Sequence, residues 1–196
     1  MDSHAKIDFS RSRALIVGES PGGAQLLKQI LGGLGVVAVV AAVSVNDGFG
    51  RATRELFDLF FVAETDSGAG SSFVQTLREQ RQEPNSFALM FLLLGQPTPS
   101  AVIRARDCGA NAVLTKPLAA DAVLKRLRWV CGAKRDFIDA AAYVGPDRRY
   151  KSAGPPAGAT GRRATDIADP LGGAQAPNLS QDEISTMIKP QRVLMI

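Results

Sequence analysis

Between Arg13 and Gly132 the sequence alternates five times between a short apolar run and a longer stretch with helical periodicity. No other feature narrows so far the folds open to this chain. The apolar runs are ALIVG (14–18), VVAVVAAV (36–43), FDLFFVA (57–63), FALMFLLLG (87–95) and NAVLTKP (111–117). Runs of this length, bounded by Gly and Pro, read as strands. Where polar alternation is missing, as in FALMFLLLG, both faces of the strand must be covered, as in a parallel sheet. The intervening stretches carry apolar residues at helical spacing: Leu26, Leu27, Ile30 and Leu31 in the first, Phe73, Val74 and Leu77 in the third. The second, GFGRATRELF, is a weak helix interrupted by glycine, the fourth, SAVIRARDCGA, stops on Gly109, and the fifth is AADAVLKRLRWVCG. Successive strand–helix units imply a doubly wound α/β fold, with helices on both faces of a parallel sheet joined by right-handed crossovers. Ligand chemistry in such sheets lies beyond the carboxyl ends of the strands. Those ends are Gly18-Glu19, Ala63-Glu64, Leu94-Gly95 and Thr115-Lys116.

Composition removes several function classes. The 196 residues suffice for one well-buried domain and an extension. The net charge of +4 is modest, and its excess gathers between residues 132 and 165, with seven Lys and Arg against three Asp. That is too little to argue for nucleic acid. The two cysteines, Cys108 and Cys131, lack metal-ligand spacing, and the one histidine, His4, sits in a polar N-terminus expected to be flexible over residues 1–12. No nucleophile–base pair stands out, and GESPGG lacks the GK[ST] of a nucleotide cradle. The expectation is therefore no enzyme, no cofactor and no bound metal. The uncharged run Ile30–Val45 is broken by glycines and shorter than the roughly 18 residues of a spanning helix. With no secretory leader either, the chain is expected in the cytoplasm with reduced thiols.

The five-unit order, GANAVLTKP after the fourth helix, FDL opening the third strand and IVGESP after the first together resemble the receiver domain of bacterial response regulators. The resemblance spans residues 13–132 and implies a five-stranded, flavodoxin-like sheet of order 2-1-3-4-5. It also implies a phosphorylation pocket. In receivers an acidic pair after the first strand holds Mg²⁺, because a hard cation takes oxygen ligands. An Asp ending the third strand accepts the phosphoryl group, and a Ser/Thr ending the fourth and a Lys ending the fifth offset the charge that develops. At the matching positions this sequence has Gly18 and Glu19, Ala63, Leu94 and Lys116, and only the lysine keeps the family's residue. The aromatic that many receivers carry three residues before the lysine is Val113. An alanine cannot accept a phosphoryl group, and one carboxylate makes a poor Mg²⁺ site. The expectation is a phosphorylation-incompetent pseudo-receiver, a non-catalytic signalling adaptor. The loop after the third strand is about one residue short, which brings Glu64 or Asp66 nearer the pocket. Glu64 would there stand as a constant negative charge beside Lys116.

Beyond Gly132 the texture changes, and six of the eleven prolines fall there. Residues 133–177 read as a disordered Arg/Pro/Gly-rich linker. Within it, YVGPDRRYKS and GRRATD place Arg148, Arg149, Arg162 and Arg163 in pairs. They resemble Arg-rich extensions of some receivers that bind a cyclic dinucleotide, which makes second-messenger sensing the alternative function. The competing reading is a solvated linker, or an Arg-Asp turn packed back on the domain. Residues 178–196 form a last segment with an apolar terminus. In LSQDEISTMI, Ser180 and Glu183 make a capping box, so Leu179, Ile184, Met187 and Ile188 would share one face of a short helix. This wording resembles the receiver-binding N-terminal peptide of the flagellar motor-switch protein. It implies docking in a groove of the fourth helix, fifth strand and fifth helix of a receiver, this chain's own or another's. The partners implied are signalling or flagellar and chemotaxis proteins.

Overall fold

The computed structural model of the chain describes residues 7–81, 84–132 and 135–148. Alternate residues of each inner strand serve opposite sides of one sheet. Ile16, Phe61, Phe91 and Leu93 enter a core with Leu27, Leu31 and Leu127, while Leu15, Phe60, Val62, Met90 and Leu92 enter a second core with Phe73, Val74 and Leu77. This two-sided burial is why the inner runs show no polar alternation. The strands are β1 (Arg13–Val17), β2 (Ala38–Ala42), β3 (Leu59–Ala63), β4 (Leu89–Leu94) and β5 (Ala112–Thr115). All four ladders are parallel, and the spatial order is β2-β1-β3-β4-β5, the order expected. Between them run α1 (Pro21–Gly33), α2 (Val45–Ala52), α3 (Ala69–Glu79) and α4 (Pro99–Asp107), and α5 (Ala120–Gly132) follows β5. Among the described residues no helix is long and apolar enough to cross a membrane.

Caps and turns shift some boundaries. α2 begins before Gly48 because the Ser44 hydroxyl accepts the Asp47 N–H at 3.2 Å. β4 begins at Leu89, since Asn85–Phe87 form a 3-10 turn. The buried Asn85 side chain holds that turn: it accepts the Phe57 N–H at 2.8 Å and donates to the carbonyls of Ala52 and Glu55.

The linker expected from residue 133 does not begin there. β6 (Phe137–Ala140) and β7 (Tyr143–Pro146) pair antiparallel as a hairpin, and β7 lies against α3. Each strand is four residues long, too short for a period to show in sequence. The hairpin is held by tertiary contacts. Gly109 meets Val144 and Gly145 backbone to backbone, and the Arg135 guanidinium donates to the carbonyls of Asn111 and Asp147.

Candidate functional site

The carboxyl ends of β1, β3, β4 and β5 bring Gly18, Ala63, Leu94 and Lys116 to one edge of the sheet. Gly18 turns the chain with φ +68°, while a Cβ there would find nothing within 4 Å. The glycine suits the left-handed backbone rather than a lack of room. Glu19, by contrast, is enclosed, its side chain 3% exposed. Its Oε1 accepts from the Ser20 N–H at 2.9 Å and the Ser20 hydroxyl at 3.1 Å, and its Oε2 lies 2.6 Å from Lys116 Nζ. The first turn of α1 closes over it, since a Cβ on Gly23 would fall 2.6 Å from Oε1. Lys116 is anchored in turn by its N–H, which donates to the Leu94 carbonyl at 2.9 Å, and precedes a cis peptide to Pro117. These two charged groups of the expected pocket neutralise each other.

Glu64 does not join them. Its carboxylate turns into the first turn of α3, accepting N–H bonds from Thr65 at 2.9 Å, Gly70 at 3.1 Å and Ser71 at 3.0 Å, and a further bond from the Ser71 hydroxyl. The expectation of Glu64 as a fixed charge beside Lys116 is therefore corrected. Donors at a helix N-terminus, aided by its dipole, draw the carboxylate more strongly than an ammonium already paired. Gly70 makes this possible: a Cβ there would stand 2.5 Å from the Ala63 carbonyl, so α3 seats itself on the end of β3 only through glycine. Asp66 and Leu94 line a separate cleft of about 480 Å³ with Thr65, Gln96, Thr98 and Arg104.

The Mg²⁺ of receivers does not fit these residues. Glu19 spends its second oxygen on Lys116, Glu64 spends both on α3, and Gly18 supplies no side chain. Among the described residues no three His, Cys, Asp or Glu groups gather as a metal site.

Arg148 is engaged within the domain. Its guanidinium pairs with Asp107 at 2.9 Å and lies over the Tyr143 ring, 4.2 Å from its centre. This is the packed-back arrangement weighed against ligand binding. Burial opposes ionisation of Asp107, but the guanidiniums of Arg148 and Arg106 outweigh it and hold the carboxyl below its ordinary range. Arg149, Arg162 and Arg163, and with them Leu179, Ile184, Met187 and Ile188, lie outside the described residues. A surface cavity lies between α4, β5 and α5. Its volume is about 480 Å³, and Val102, Ala105, Val113, Arg126 and Trp129 line it.

One residue escaped the sequence reading. Arg78, in the polar-looking TLREQRQ, is 0% exposed at the end of α3. It donates to the carbonyls of Ser86, Ala88 and Gly109 and to Asn111 Oδ1 at 2.8 Å, and its guanidinium lies 5.2 Å from the centre of the Phe137 ring. No carboxylate is among these partners. A charged residue ending an amphipathic helix ordinarily faces water, so nothing local marks it.

The fold is that of response-regulator receiver domains. No family model matches the chain, and no curated protein matches it. Among solved structures, the chemotaxis protein CheY4 of Vibrio cholerae is similar, with 24% identity and a TM-score of 0.55, over 61% of this chain and 98% of that one. A putative response regulator from Chloroflexus aurantiacus shares 22% identity with a TM-score of 0.55, over 62% of this chain and 98% of that one. The receiver domain of a signal transduction histidine kinase from Syntrophus aciditrophicus shares 24% with a TM-score of 0.53, over 67% and 99%. At these identities the likeness is one of fold.

Proposed function

We propose that this protein is a phosphorylation-incompetent, receiver-like adaptor that signals through protein–protein contacts. Ala63 carries the reading: it stands at the end of β3, where a receiver's phospho-acceptor belongs, and has no group to phosphorylate. The neighbouring carboxylates are committed, Glu19 to Lys116 and Glu64 to α3. The lysine that would meet a phosphoryl group thus already holds an internal anion, and the domain keeps one state without a kinase. Incubation with acetyl phosphate and Mg²⁺, followed by intact-mass spectrometry, is expected to leave the mass unchanged. A stable phosphoryl adduct on Glu64 or Asp66 would sink the reading.

The second element is the segment 178–196, whose Leu179, Ile184, Met187 and Ile188 would form one apolar face as a helix and suit a receiver-type groove. The groove between α4, β5 and α5 supplies such a surface, and signalling proteins of the flagellar and chemotaxis type, cytoplasmic as this chain would be, are the partners this reading favours. Trp129, the single tryptophan, lines that groove and reports on it. A peptide of residues 178–196 titrated onto the protein is expected to shift Trp129 emission to shorter wavelength. The same peptide with Ile184→Asp and Met187→Asp should leave it unmoved. Equal shifts from both peptides would remove the tail from the proposal. Cyclic dinucleotide sensing gains nothing from the described residues, since Arg148 is bound to Asp107 and Tyr143.

A further inference from the structure

The strand β5 is an edge of the five-stranded sheet: it pairs with β4, and among the described residues no strand lies beyond it. The cavity of about 480 Å³ between α4 and α5 runs along it, and every residue from Ala110 to Thr115 lines that cavity. Small-molecule sites span roughly 300–1,000 Å³, so the space suits one. Its walls are mostly apolar, with Val102 and Ala105 from α4, Val113 and Leu114 from β5 and Ala122 from α5. The outer side of an edge strand adds main-chain donors and acceptors that no ladder uses.

The ionisable side chains lining this cavity are all arginines: Arg106, Arg126 and Arg135. The nearby carboxylates are committed. Asp121 pairs with Lys125 at 2.7 Å, and Asp107 is shared between Arg106 at 3.1 Å and Arg148 at 2.9 Å. Among the described residues Arg126 has no ion pair or hydrogen bond, and its guanidinium lies 5.5 Å from the centre of the Trp129 ring. Arg135 lies 5.9 Å from the same centre while donating to the carbonyls of Asn111 and Asp147. Contact with the indole positions both guanidiniums and strips part of their hydration. A guanidinium presents a planar fork of donors that matches a carboxylate, sulfonate or phosphate. An inorganic anion would leave the apolar walls wet, and a neutral apolar molecule would desolvate the arginines with nothing to answer their charge. A molecule with an acidic head and an apolar body meets both demands.

We propose that this cavity binds a small organic anion, an apolar body carrying one carboxylate, sulfonate or phosphate, and that Arg126 receives the head group. The site depends neither on the phosphorylation reading nor on docking of segment 178–196.

Anilinonaphthalene sulfonate, an aromatic sulfonate, is the probe, titrated onto the full chain with excitation selective for Trp129. Its absorption overlaps tryptophan emission, so occupancy of the cavity quenches Trp129 by energy transfer. Saturable quenching at one probe per chain is expected. The uncharged N-phenylnaphthylamine should bind at least about tenfold more weakly, and Arg126→Gln should raise the Kd of the sulfonate about tenfold. Val102→Asp gives the cavity a carboxylate of its own and should abolish sulfonate binding. Arg126 is exposed and Val102 is 43% exposed, so far-ultraviolet circular dichroism of both variants should match the wild type. A chain that binds the sulfonate but not the peptide 178–196 would sink the tail and leave this site standing. Absence of saturable quenching, equal binding of the uncharged analogue, or an unchanged Kd in Arg126→Gln would each overturn the proposal.

Discussion

Replacing Arg78 with methionine is expected to remove about 4 kcal/mol of unfolding free energy, by urea denaturation, a large loss for one substitution. The side chain is fully enclosed and its guanidinium serves three carbonyls and one amide oxygen drawn from two segments, Ser86 and Ala88 in one and Gly109 and Asn111 in the other. Methionine fills comparable space but donates nothing, and each buried acceptor left without a partner costs on the order of 1–3 kcal/mol. Burial pulls the Arg78 pKa down to about 10, so the group stays charged at neutral pH. With the folded value below the ordinary guanidinium range, desolvation of the charge opposes folding below about pH 10, and that cost is relieved as pH rises through 10. The hydrogen bonds must outweigh that cost for the domain to stand. Arg78→Lys should recover little, because an ammonium cannot address a planar spread of acceptors. A methionine variant within ~1 kcal/mol of wild type would show that these contacts are dispensable.

The second large effect concerns the hairpin. β6 and β7 supply the Phe137 ring over Arg78, the Arg81–Asp139 pair at 2.9 Å and the backbone contact on Gly109. A chain ended at Gly132 uncovers the Arg78 network and is expected to melt at least ~10 °C below the full chain, or to aggregate. Gly109→Ala makes the point without truncation. Its φ is +91°, and a Cβ would fall 2.4 Å from the Val144 carbonyl oxygen, so backbone must move against backbone. A loss of about 3 kcal/mol is expected from strain and displaced packing together. Differential scanning calorimetry decides it: if Gly109→Ala melts with the wild type, the hairpin is an ornament and the domain ends where α5 ends.

These two predictions also mark where sequence reading stops. The strand-end positions Gly18, Ala63, Leu94 and Lys116 were legible because each is tied to an apolar run, and the runs show where the sheet ends. What the side chains do there was not legible. Glu19 meets Lys116 because α1, through Gly23, folds down on the carboxylate, and Glu64 turns to α3 because Gly70 lets that helix touch β3. Neither approach leaves a local pattern. The hairpin was hidden for a similar reason: its four-residue strands draw their stability from Gly109, Arg78 and Asn111, between 26 and 68 residues earlier in the chain.

The layered sheet, its parallel sense and an alanine at the end of the third strand were legible in the sequence, because hydrophobic period and residue identity are local properties. Which charges neutralise each other, that Arg78 is interior, and that strands continue through Pro146 came from long-range packing. Those outcomes depend on which distant backbones approach closely enough to hold a buried charge, and no stretch of neighbouring residues records that.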